Sequence, residues 1–149
     1  MSTFHGTCVS VGGRGVLLLG PAGAGKSDLA ARLVEAGAFV VADDQVILET
    51  REGALWASCP PPLHGLIELR GFGIVPVPCV EAAPVVLAVS LRPGAVIEHL
   101  PEPAFLTVAG HKVRLMTLDP FTASASAKVR LAVAAVAEDS KSRVQPGLG

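Results

Sequence analysis

The run Gly20-Pro21-Ala22-Gly23-Ala24-Gly25-Lys26-Ser27 fits G-x-x-x-x-G-K-S/T, and it constrains the fold more than any other feature of the chain. That pattern signals phosphate binding only when a strand enters it and a helix leaves it. Both flanks comply. Gly15-Val16-Leu17-Leu18-Leu19 is a short apolar run, readable as a buried strand, and Asp28 to Ala36 carries apolar residues at helical spacing. Gly37 stands where a helix stop belongs. In a strand–loop–helix unit the glycines let backbone N–H groups turn toward phosphate oxygens, and the helix N-terminus adds partial positive charge. Gly20, Pro21, Ala22, Gly23, Ala24 and Gly25 therefore form a nucleotide-binding loop. Lys26 is expected to reach the β- and γ-phosphates and the Ser27 hydroxyl to ligate Mg²⁺.

The rest of the chain predicts an α/β fold of the P-loop kinase type, with a strand-heavy mixed sheet and two main helices. Strands are expected over Thr7–Val11 and Gly15–Leu19, around a Gly12-Gly13-Arg14 turn, and over Phe39–Ala42. Val46–Glu49 and Ala54–Ala57 read as a hairpin. Leu66–Leu69, Ile74–Val77 and Val85–Leu91 are further strands, and Phe105–Val108 with Lys112–Met116 is a second hairpin. The Ser/Ala-rich stretch Thr122–Glu138 is the second helix. One catalytic domain over 1–138 is expected, with 139–149 as a flexible tail.

The bulk numbers exclude several classes. Twelve basic and 13 acidic residues leave a net charge of −1, which gives no electrostatic case for nucleic acid. No apolar stretch is long enough to span a membrane, and the first residues lack a secretory leader pattern. Three cysteines, Cys8, Cys59 and Cys79, form no C-x-x-C pattern and fit reduced thiols in a cytoplasm. Four scattered histidines offer no metal-ligand spacing.

Two further clusters carry chemistry. Asp43-Asp44 closes the strand after the loop. In a P-loop fold, an acid at that place ligates Mg²⁺ directly or through water, and a second can take the proton of an attacking hydroxyl. Adjacent side chains on an extended strand point opposite ways, so both serve one site only if the strand has already turned. A solvated Asp-Asp turn is the plainer alternative. Glu68-Leu69-Arg70-Gly71-Phe72-Gly73-Ile74 is the other: Glu68 can complete a Mg²⁺ shell and Arg70 can hold a phosphoryl oxygen. A cross-strand ion pair beside a hairpin turn explains the same two charges.

His5-Gly6, the glycine loop with Asp28, Val41-Ala42-Asp43-Asp44 and Glu68 to Ile74 together resemble the catalytic domain of the bacterial HPr kinase/phosphorylase family, over His5 to about Val77. The chain looks like the family's short alphaproteobacterial form, without a separate N-terminal domain. The resemblance implies a cytoplasmic kinase that uses ATP and Mg²⁺ to phosphorylate a serine of the phosphocarrier protein HPr, and a homo-oligomer, the family's hexamer. It implies Asp44 as general base, His5 and Lys26 as further catalytic residues, Asp43 assisting beside Asp44, and Glu68 as a metal ligand. Two departures stand out. Glu98-His99-Leu100 occupies the place of a family arginine. The family's Gly-Arg-Asn loop, tied to dephosphorylation, is replaced by Leu118-Asp119-Pro120-Phe121-Thr122. Its loss predicts weak or absent phosphorylase activity. A small-molecule kinase and a non-enzymatic ATP sensor are the other functions compatible with the loop.

Overall fold

The computed structural model describes residues 1–144. Its centre is the strand β9 (Ala82–Leu91), ten residues long, which begins three residues before the predicted apolar run. Before it come β1 (Ser2–His5), β2 (Thr7–Val11), β3 (Arg14–Leu19), helix α1 (Lys26–Glu35), β4 (Phe39–Ala42), β5 (Gln45–Arg51), β6 (Ala54–Ser58), β7 (Leu66–Leu69) and β8 (Gly73–Pro76). After it come β10 (Ala104–Val108), β11 (His111–Leu118) and helix α2 (Ala125–Val144). The helix runs past its predicted end at Glu138, and residues 145–149 of the expected tail lie outside the described residues. β1 was not expected from the sequence, because Ser2–His5 is short and largely exposed.

β9 is shared by two sheet regions. β3 runs parallel to it along Val85–Ser90, and β11 runs parallel along Leu87–Leu91. β6 pairs antiparallel with its first residues, Ala82–Pro84. The ladder continues through β5 to β1 on one side and through β2 to β4 on the other. The result is the expected mixed, strand-rich α/β architecture.

A strand that is apolar at nearly every position belongs where both faces are covered. Leu87, Val89 and Leu91 join Val16, Leu18 and the helical residues Leu29, Leu33, Val129 and Val133 on one face. Ala88 joins Leu17, Val41, Leu48 and Leu55 on the other. In α2 the buried positions Ala125, Val129 and Val133 recur every fourth residue, which sets one stripe against the sheet. Cys8 is fully buried in the second layer, and burial pushes its thiol up to about 12, so it remains a neutral core group. Cys59 and Cys79 are free thiols at half-buried positions.

Because β3, β9 and β11 are parallel, their carboxyl ends share one edge. The glycine loop, the 92–103 connection and the 119–124 connection all leave the sheet there. In open α/β sheets this is the edge at which ligands bind.

Candidate active site

The loop from Gly20 to Gly25 joins β3 to α1. Gly20, Gly23 and Gly25 have φ of 155°, 84° and 97°, a region costly for residues with a Cβ. Gly25 caps α1 without any side chain of its own. The residues behind it are tightly placed: a Cβ at Gly25 would lie 3.0 Å from Phe121 Cζ and 3.2 Å from Pro120 Cγ. The segment before α2 thus forms the back wall of the loop. It is held there by Arg32 of α1, whose guanidinium donates to the Pro120 and Thr122 carbonyls. The Lys26 ammonium donates to the carbonyls of Gly20 and Pro21, the latter at 3.1 Å, so its charge sits at the mouth of the loop.

The acids are positioned by a kinked ribbon. β2 pairs with β4, with Cys8 opposite Ala42, and β1 pairs with β5, with His5 opposite Gln45. Between these ladders the two chains cross from one sheet region to the other. Gly6 lies there against Asp44, its N–H donating to the Asp44 carbonyl at 3.0 Å. A side chain at Gly6 would stand 2.9 Å from the Phe4 ring and 3.0 Å from the Leu18 carbonyl. On the other chain the turn is made by Asp44, in the left-handed region at φ 78°. The strand has therefore turned before the second acid, and the two carboxylates go to different partners.

Asp43 faces inward. Its Oδ1 accepts the Ser27 hydroxyl at 3.0 Å and the Thr7 hydroxyl at 2.9 Å. Its Oδ2 accepts the Glu68 backbone N–H at 3.3 Å. One carboxylate thus joins the start of α1, the first residue of β2 and the strand β7. Asp44 faces outward, with its Oδ1 3.0 Å from His5 Nε2. Those two side chains are 69% and 70% exposed, so a bulky reactant can reach them. The solvated-turn alternative describes the exposed Asp44 but not Asp43, whose carboxylate accepts from Ser27, Thr7 and the Glu68 backbone.

Glu68 and Arg70 do not pair with each other. β7 and β8 form a two-stranded hairpin with Glu68 opposite Ile74, anchored by buried Ile67. Arg70 stands in its turn and leans over the loop: its Nη2 lies 3.6 Å from the position a Gly23 Cβ would take. Among the described residues it has no acidic partner. His99 is exposed in the 92–103 connection.

The structure thus brings His5, Asp43, Asp44, Lys26, Ser27 and the backbone of Glu68 to one edge, with Arg70 above the loop. Thr7 is a neighbour of this cluster that the sequence reading missed, and the Leu118–Thr122 segment, noted there only as a departure from the family loop, packs behind the glycine loop. Among the described residues no three His, Cys, Asp or Glu side chains converge as a ready metal cage. What the site offers is a hydroxyl and a carboxylate oxygen side by side at the start of a helix. That donor set suits Mg²⁺, which is held by few protein oxygens and completes its shell with phosphates and water.

Known proteins share part of this sequence and its fold. The model of the HPr Serine kinase C-terminal domain family matches residues 1–82. A relative named HPr kinase/phosphorylase from Clostridium tetani is 41% identical over 96 residues, 64% of this chain and 31% of the relative. One from Caldicellulosiruptor bescii is 49% identical over 76 residues, 50% of this chain and 24% of the relative. The matched stretches therefore span about a quarter to a third of these curated relatives. Among solved structures, the HPr(Ser) kinase/phosphatase from Coxiella burnetii superposes with a TM-score of 0.77 at 24% identity, covering 97% of this chain and 93% of that one. That likeness extends the shared fold across β9–β11 and α2.

Proposed function

The chain belongs to the HPr serine kinase C-terminal domain family, and on that premise we propose that it transfers the γ-phosphoryl group of ATP to a serine hydroxyl of the phosphocarrier protein HPr. The observation that carries this reading is the division of labour between the two acids. Asp43 is committed to the Ser27 hydroxyl, whereas Asp44 is exposed and, among the described residues, has His5 as its charged partner.

In this reading Gly20 to Ser27 hold the triphosphate. Backbone N–H groups and the α1 N-terminus neutralise part of its charge. Lys26 exchanges its carbonyl acceptors for β- and γ-phosphate oxygens, and Arg70 closes over the same oxygens from the hairpin. Ser27 and Asp43 hold Mg²⁺, with Glu68 within the same region. The bound metal neutralises charge on the phosphates. Asp44 then accepts the proton of the incoming serine hydroxyl as its oxygen attacks the γ-phosphorus, and His5 orients the Asp44 carboxylate. Phosphoryl transfer needs little more than this positioning and charge compensation.

The exposure of Asp44 and His5 suits a protein acceptor better than a small molecule, which would call for an enclosed pocket around the base. The same reading makes residues 1–138 a single catalytic unit, places it in the cytoplasm and allows the family's homo-oligomeric assembly.

The test is transfer of label from ATP, with Mg²⁺, to purified HPr. Wild-type protein is expected to phosphorylate HPr. Asp44→Asn is expected to keep ATP affinity and lose roughly 10²–10⁴-fold in rate, the usual share of a positioned base. ATP binding without transfer by the wild type would leave only a nucleotide sensor. Given serine-phosphorylated HPr and inorganic phosphate, the same preparation is expected to release little pyrophosphate.

A further inference from the structure

Beside the site just described, the structure contains a cavity of about 610 Å³ between β9, β11, α2 and the 95–104 stretch of the connecting loop. Its walls are mainly apolar. Leu87, Met116 and Leu118 form the sheet side, and Ala132, Ala135 and Val136 form the helix side. Space of this size is in the range that holds small organic ligands, about 300–1,000 Å³.

Arg114 breaks the apolar pattern of the sheet wall. Arg114 stands opposite Leu87 in the β9–β11 register, so it occupies the face of β11 that Met116 and Leu118 also use. Along that face the side chains run from exposed Lys112 through half-buried Arg114 to Met116 and buried Leu118, so Arg114 stands where the face passes from solvent to the apolar wall. Arg114 is half-buried, lines the cavity, and among the described residues has no acidic partner. A partly exposed guanidinium without an acidic partner can offer two parallel N–H donors to a ligand carboxylate. Lys128, one turn before Ala132 on α2, is exposed and adds a second cation at the wall, without an acidic partner among the described residues.

The rim limits the charge of the guest. Glu98 and Glu102, both exposed, line the loop side, while the Asp119 carboxylate already accepts the Gly94 and Phe121 N–H groups. Acids at the entrance oppose a multiply charged anion such as a sugar bisphosphate. We propose that this cavity is a binding site for a monocarboxylic organic acid. The carboxylate sits on Arg114, with help from Lys128, and the apolar body lies between β9, β11 and α2. The proposal does not depend on the kinase reading.

Calorimetric titration of the full chain with sodium octanoate tests it. Saturable one-to-one binding is expected, with octanol and octylamine binding at least about tenfold more weakly because they lack the anion. Arg114→Met keeps an unbranched apolar stem and is expected to weaken octanoate about tenfold or more while leaving ATP affinity unchanged. Should Arg114→Met fail to fold by circular dichroism, Ala135→Phe at an exposed cavity-lining helix position fills the space with Arg114 intact and is expected to abolish binding. Octanoate must also bind in saturating ATP and Mg²⁺. Absence of saturable binding, equal binding of octanol, an unchanged Ala135→Phe variant, or full displacement by ATP would each overturn the proposal. So would Arg114-dependent sedimentation with phosphatidylglycerol vesicles, which would assign the cavity to a lipid surface.

Discussion

At the scale of single residues, the site turns on how one carboxylate is saturated. Asp43 collects donors from Ser27, Thr7 and the Glu68 backbone, and this leaves its neighbour free to act outward. Thr7 is fully buried, so its hydroxyl has no water to fall back on. Thr7→Val keeps the shape and deletes one hydrogen bond to a carboxylate. It is expected to destabilise the protein by about 1–3 kcal/mol, measured by urea unfolding, and to weaken Mg²⁺-dependent nucleotide binding. A variant as stable as the wild type would show that the bond contributes nothing. The acids were legible in the sequence because their type and their place after a strand carry the signal. Thr7 was not. A threonine opening an apolar strand is ordinary, and its meaning appears only once β2 is known to lie beside β4, a pairing between residues far apart in the chain.

At the scale of elements, the glycine loop owes its shape to a segment almost a hundred residues later. Phe121 and Pro120 press against Gly25, and Arg32 ties that segment to α1. Gly25→Ala is therefore expected to fail twice, once through its left-handed backbone, at about 1–2 kcal/mol, and once through contact with the Phe121 ring. Adding Phe121→Ala should recover the contact part and not the backbone part. A double-mutant cycle of thermal stabilities checks this: a coupling near zero would mean the wall does not shape the loop. The loop, α1 and most strands could be read locally, since periodicity and glycine placement act over a few residues. β1 could not, because an exposed four-residue strand is defined by its partner β5 and not by its own composition. The second helix was found but ended too early, since polar residues after Glu138 do not by themselves break a helix.

At the scale of the whole molecule, strand β9 decides what can stand alone. The stretch that matches the family ends at residue 82, where β9 begins. Without β9, the buried strand β3 loses its parallel neighbour and β6 loses its connection to the rest of the ladder. A fragment of residues 1–82 is expected to lack a cooperative unfolding transition by circular dichroism. A sharp transition in that fragment would show that the recognised half folds by itself. The same arrangement has a meaning during synthesis. A ribosome delivers the nucleotide loop, both acids and Arg70 before the strand that supports them has left the exit tunnel. At about 5–20 residues per second, Leu17, Leu18 and their neighbours wait for several seconds with one edge unpaired. In that interval the nascent chain holds every proposed catalytic residue without the central strand that backs the glycine loop's own strand, so a pause or a premature stop before β9 would yield a sticky polypeptide with no activity.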